Sequence, residues 1–196
     1  MKWRQFVSER LLDPKTTSLV SIDLQHGIVG LPVGPHAAPD VVQRTAQIAE
    51  KLRAAGGTVI FVRVANLPDG SDALAPCVDI KVKAPTSRPA DWSELVPALN
   101  REPNDIVITK RQWGAFYGTD LDLHLRRRRI QTLIVTGIAT NIGVESTARD
   151  AYERGFDQIF VEDAMSALGD GHAYAVANIF PRIGRLRTTA ELLAVI

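Results

Sequence analysis

The chain reads as an α/β protein with a six-stranded, mainly parallel sheet covered by helices on both faces. Three observations say so. Short apolar, β-branched runs such as SLVSIDL and TVIFVRV recur along it and have the size and character of strands buried on both sides. Between them lie stretches whose apolar residues repeat at helical spacing. The two kinds alternate, and strands alternating with helices make a parallel sheet.

Ser18 to Leu24 is the first strand, after the Asp13-Pro14 stop. Gly27 to Pro39 reads as loop. Pro39-Asp40 opens a helix whose stripe is Val41, Thr45, Ile48, Ala49 and Leu52, and Gly56-Gly57 ends it. Thr58 to Val64 is the second strand. Residues 66–104 are proline-rich and aperiodic, with one short helix near Trp92 to Leu99; a segment that long and irregular is expected to be a lid or substrate loop. Asp105 to Thr109 is the third strand, running into Lys110 and the aromatic, glycine-broken RQWGAFYGTDL. Asp120 to Arg129 is a helix with Thr119 as its cap, and Thr132 to Thr136 the fourth strand. Asn141 to Arg154 is the next helix, stopped by Gly155 and carrying the outward pairs Glu145–Arg149 and Asp150–Arg154. Gln158 to Glu162 is the fifth strand. A helix from Gly171 to Phe180 is ended by Pro181. Gly184 to Arg187 is a weak sixth strand, and Thr188 with Glu191 forms a capping box for a last helix.

A chain of 196 residues with no repeat or linker is one domain, 1–196. Its net charge of +1 gives no reason to expect nucleic acid. The single cysteine, Cys77, rules out an intrachain disulfide and a cysteine-based metal site. The N-terminus is too charged for a signal peptide, and no apolar run is long enough for a membrane span, so a cytoplasmic protein is expected. The histidines, His26, His36, His124 and His172, show no metal-ligand spacing, so no metal is expected, and no GxGxxG follows any strand, so neither is a dinucleotide cofactor. The arginine run 126–129 sits at a helix C-terminus, where cations suit the dipole.

Parallel sheets bind ligands beyond the carboxyl ends of their strands. Asp23, Lys110 and the elbow from Gly137 to Gly143 all stand at such ends, so three distant features are expected to meet in one crevice. An Asp–Lys pair there can move a proton and orient a substrate carboxylate. The plainer alternative is that Asp23 caps a loop and Lys110 is solvated. A strand, an elbow and a helix start aim backbone N–H groups at one point, a place for an anion or a reacting carbonyl oxygen. Trp113 and Tyr117 are candidate walls of an apolar pocket, whereas Phe116 is expected in ordinary packing. Gly143 stands where a nucleophile would sit. Ser146, one turn on, is a weak substitute with no histidine placed beside it in sequence.

Asp23 in SLVSIDLQ, Lys110 in ITKRQWGAFYGTDL, and TGIATNIGVESTARDA, in that order, resemble the isochorismatase-like superfamily of cysteine hydrolases, and in particular its YecD-type members. The resemblance spans about Ser18 to Arg187. It implies a Rossmann-like three-layer α/β/α sandwich, a small-molecule substrate with no cofactor or metal, and a homodimer or larger homo-oligomer. It carries a catalytic Asp and Lys onto Asp23 and Lys110, and places the catalytic Cys position on Gly143. It implies a cis peptide between Ile138 and Ala139, with the amides of Ala139 and Gly143 as an oxyanion hole, and puts Gln25, Thr140 and Asn141 at the substrate site. Members that hydrolyse isochorismate likewise carry glycine here. They cleave a vinyl ether by protonation and water capture, but have tyrosine, alanine and histidine where this chain has Ala139, Thr140 and Asn141. The expected activity is thus hydrolysis of a small carboxylate-bearing metabolite by Asp23 acid/base chemistry without a cysteine nucleophile, an isochorismate-type vinyl ether being one such substrate. The alternatives are a binding protein that has lost the chemistry and an amidase with another nucleophile.

Overall fold

The computed structural model describes residues 12–80 and 88–196. The charged N-terminal stretch and part of the 66–104 segment therefore lie outside the described residues. In chain order the elements are β1 (Thr17–Ile22), α1 (His26–Val29), α2 (Ala38–Ala54), β2 (Thr58–Val64), β3 (Ile106–Lys110) and α3 (Leu121–Arg127). They continue with β4 (Thr132–Ile138), α4 (Glu145–Glu153), β5 (Asp157–Ser166), α5 (Gly171–Tyr174), α6 (Phe180–Ile183), β6 (Arg185–Arg187) and α7 (Thr189–Leu193).

The six strands form one sheet in the order β3-β2-β1-β4-β5-β6, every pair parallel. The strand order reverses its progression at β1/β4, the topological switch point of a doubly wound sheet. The pleat splits the core in two. Val20, Ile22, Ile60, Val62, Leu133 and Val135 face Leu121 and Leu125 of α3, Ala148 of α4 and Val144 just before it. Their alternates Leu19, Val59, Phe61 and Ile134 face Val41, Ile48 and Leu52 of α2 and Leu192 of α7. This is the three-layer sandwich that the resemblance implies, and every residue of β1 and β4 is buried, as continuous apolar runs require.

Four elements differ from the sequence reading. A single helical turn, α1, interrupts the stretch read as loop. The short helix read near Trp92 to Leu99 is only a 3-10 turn, Pro97–Leu99. Residues before it are instead laid along the chain after β1, with His26 N donating to Glu94 O, Gly27 N to Trp92 O and Val96 N to Leu24 O. The helix read from Asn141 begins with one wide π-type turn, Thr140–Val144, closed by Val144 N donating to Ala139 O across five residues. Pro181 does not stop the helical run: a wide π-type turn, Ala175–Ile179, leads into it on helical backbone, and Gly184 follows the run instead.

β5 is also longer than predicted. Between the pairs Val135↔Phe160 and Gly137↔Met165 it advances five residues while β4 advances two, so residues 161–164 bulge from the ladder. The bulge is pinned: Asp163 Oδ1 accepts from the N–H and hydroxyl of Thr189, and Arg44 donates to the Asp163 carbonyl. The capping box of Thr188 and Glu191 and the ion pairs Glu145–Arg149 and Asp150–Arg154 are present as expected.

Candidate active site

Three strand ends build the crevice. Ile22 pairs with both Val62 and Gly137, and Val64 pairs with Lys110, so Asp23, Lys110 and the elbow after β4 emerge at one edge. Gly137 lets the elbow approach β1: a Cβ there would lie 2.1 Å from the Ile22 carbonyl oxygen, and its φ of 122° is one that side chains rarely adopt. Asp23 itself has φ 55°, a left-handed turn that aspartate tolerates better than most residues. That turn, held by Asp23 N donating to Val62 O, ends the strand.

Lys110 Nζ lies 2.8 Å from Asp23 Oδ2 and donates to the Trp113 carbonyl at 2.5 Å. Both side chains are buried, Lys110 at 1% exposure and Asp23 at 7%. Asp23 Oδ1 is buried with no hydrogen-bond partner among the described residues. Burial pushes the Asp23 carboxyl up from its ordinary 3.8 to about 6, the charge and hydrogen bond of Lys110 opposing it. The carboxyl therefore holds its proton to higher pH than an ordinary aspartate does.

Gly143 faces this pair. A Cβ built there would stand 3.0 Å from Lys110 Nζ and 3.2 Å from Asp23 Oδ2. The space where a side chain would begin is therefore tight, with Ile22 Cγ2 at 3.1 Å as well. The Ile138–Ala139 peptide is cis. A cavity of about 620 Å³ opens over Asp23, Lys110, Ile138, Ala139, Gly143 and Trp113, a volume that suits a small metabolite.

Four residues expected at the site are placed elsewhere. Gln25 is buried and clamps the end of β2, donating to Val64 O and Trp92 O and accepting from Val64 N. Thr140 turns its hydroxyl away, to Nδ1 of His172 at 2.9 Å. The Asn141 side chain packs on Gly171, at the start of α5. Tyr117, followed by Gly118 in a left-handed conformation (φ 66°), is 79% exposed and outside the lining. Ser146 lies beside Gly114 rather than in the lining. Phe116 is core, stacked on Phe156.

Residues that sequence reasoning did not single out complete the wall: Arg88, Trp92, Arg111, Leu31, Leu74 and Leu168. Arg88 lies over the Trp92 ring at 4.1 Å, and Arg111 pairs with Asp72 at 2.5 Å. The only signal for Arg111 was its place beside Lys110, and residues 66–104 have no periodicity to reveal which side chains face inward. The fold also unites His36, Glu162 and His172, which the spacing of the histidines along the chain did not foretell. Desolvation lowers the His172 pKa, Glu162 opposing and the neighbouring His36 adding to it.

Among the described residues no helix is long and apolar enough to cross a membrane. The isochorismatase domain family matches residues 17–191. An isochorismatase family protein of Escherichia coli O157:H7, YecD, is 49% identical over 93% of this chain and 97% of its own. The structure of an isochorismatase family protein from Burkholderia thailandensis superposes with a TM-score of 0.89 at 48% identity, covering 94% of this chain and 97% of that one. A ureidoacrylate amidohydrolase, RutB of Methylorubrum extorquens, is 36% identical over 80% of this chain and 72% of its own. With these matches over nearly its whole length, the chain belongs to the isochorismatase family of α/β hydrolases, in which amidohydrolases such as RutB are its relatives.

Proposed function

We propose that the protein hydrolyses a small carboxylate-bearing metabolite in the cytoplasm by proton transfer from Asp23, without a covalent enzyme intermediate. The observation that carries this is the Asp23 carboxyl: buried, raised to about 6, with one oxygen held by Lys110 and the other unpartnered beside the cavity. A group poised near the working pH is what general acid catalysis needs. For a vinyl ether, the Asp23 proton goes to the enol carbon, water adds to the resulting oxocarbenium carbon and loses a proton, and the hemiketal breaks to a ketone and an alcohol. Lys110 steadies the carboxylate left behind. The amides of Ala139 and Gly143 serve as a backbone cradle for the anionic group, and Arg88, in the crevice wall, supplies positive charge for a carboxylate, whereas the charge of Arg111 is offset by Asp72. Gly143, with no side chain to attack a carbonyl, argues against an acyl-enzyme route.

The resemblance further supports a homo-oligomer, at least a dimer, in which a neighbouring subunit helps close the crevice. Trp113, 61% exposed at its mouth, would lie there. Light scattering of the full chain checks this, a monomer at working concentration being the contrary result.

The test is a turnover screen with isochorismate and small amides on wild type and Asp23→Asn. The account expects Asp23→Asn to lose about 10²–10⁴-fold in rate. Activity surviving that change would exclude Asp23 as the acid. Ligand-induced stabilisation without turnover of any substrate would favour the binding-protein reading.

A further inference from the structure

Outside the lining of the crevice, the bulge of β5 brings Glu162 beside two histidines. Glu162 Oε1 lies 3.3 Å from His36 Nε2 and 3.7 Å from His172 Nε2, and one ligand atom from each residue falls within 4.8 Å of the other two. Each residue is held from behind. His36 follows the cis Gly34-Pro35 turn, which is zipped to the end of β5 by reciprocal backbone bonds between Gly34 and Ala167. Ser166 adds bonds to the N–H and carbonyl of His36. The His172 ring is 4% exposed, and its Nδ1 meets the Thr140 hydroxyl.

His172 Nε2 is buried and has no hydrogen-bond partner among the described residues. A ring that donates Nδ1–H to Thr140 aims the lone pair of Nε2 into the cluster, and such a bond from the far ring nitrogen is how ligand histidines are commonly oriented. Plain hydrogen bonding explains the His36–Glu162 contact but leaves His172 Nε2 unused. A tetrahedral ion about 2.0–2.2 Å from each ligand needs ligand atoms about 3.3–3.5 Å apart, close to the two distances to Glu162.

We propose that His36, Glu162 and His172 bind one divalent transition-metal ion of borderline softness, with zinc the leading occupant. Two imidazoles and one carboxylate favour zinc, cobalt or nickel over magnesium and calcium, which prefer all-oxygen sites. Water fills the remaining position. Because Thr140 adjoins Ala139, the ion ties the His36 turn, the β5 bulge and α5 to the elbow that shapes the crevice. Its role is to hold that elbow in place.

The test uses the full chain after chelator treatment, titrated with Zn²⁺ by calorimetry and followed by thermal unfolding, with Mg²⁺ as control. The expected result is one saturable Zn²⁺ per chain, a raised Tm and no response to Mg²⁺. Glu162→Gln and His36→Ala lose saturable binding, and Thr140→Val weakens it by about 10–100-fold. Co²⁺ gives a four-coordinate visible spectrum in wild type and none in His36→Ala. Should Glu162→Gln or His36→Ala fold poorly, the other serves alone, since both side chains are partly exposed. Absence of saturable Zn²⁺ binding overturns the proposal. So does binding unchanged in His36→Ala, or binding lost in Cys77→Ser, which would assign the ion to the exposed thiol.

Discussion

Burial and Lys110 pull the Asp23 carboxyl in opposite directions, and burial prevails. Lys110→Met removes the opposing charge, so the pKa of Asp23 rises further. The falling limb of the pH–rate profile, measured on kcat/KM, is expected to move to higher pH in this variant; a move to lower pH would rule out Asp23 as the titrating acid. Gly143 is the other decisive residue. Its backbone is not left-handed, so space rather than conformation favours glycine. Gly143→Cys forces Lys110 and Asp23 to give by a few tenths of an ångström, and a loss of about 1–3 kcal/mol is expected from urea unfolding. Where a thiol fits beside the Asp–Lys pair, small amides should leave a covalent adduct visible by mass spectrometry. Asp23, Lys110 and Gly143 were legible because each ends a strand or starts a helix, where position alone fixes direction. The partnership of His36, Glu162 and His172 was not, because those residues are up to 136 positions apart and only the tertiary fold brings them together.

At the scale of elements, strands were easier to read than the joints between them. Apolar periodicity locates a strand to within a residue or two, as β1 and β2 show, but carries no mark of a five-against-two bulge in β5 or of a π-type turn at Thr140–Val144. Both depend on what the neighbouring chain offers, such as Thr189 and Arg44 holding the Asp163 end of the bulge. Pro181 misled because a wide π-type turn, Ala175–Ile179, precedes it and the helical run continues past it. The elbow has its own test. Gly137→Ala puts a Cβ 2.1 Å from the Ile22 oxygen, on backbone that cannot swing aside, so a loss of about 3 kcal/mol or more is expected in chemical unfolding. Thr188→Ala, which opens the capping box of α7, should cost only about 1 kcal/mol. A larger loss for Thr188→Ala than for Gly137→Ala would overturn this ranking.

For the whole molecule, the doubly wound order places β1 and β4 side by side with their helices on opposite faces, so the crevice opens where the two halves part. That geometry follows from alternating strands and helices, and so the meeting of Asp23, Lys110 and the elbow is legible in the sequence. The wall contributed by Arg88 and Trp92 could not, since an aperiodic segment does not say which way it folds back. The molecule as a whole is then a parallel sheet that presents a buried acid beneath a wall to which Arg88 and Trp92 contribute. The central claim is that this acid, and not a covalent nucleophile, runs the reaction. The most direct measurement is the pH dependence of kcat/KM on the substrate found by the screen, for wild type beside Asp23→Asn. The account predicts a rate that falls as pH rises through about 6, where Asp23 loses its proton, and near-complete loss in the variant. A rate that climbs through that same pH, or one that Asp23→Asn leaves intact, would contradict it.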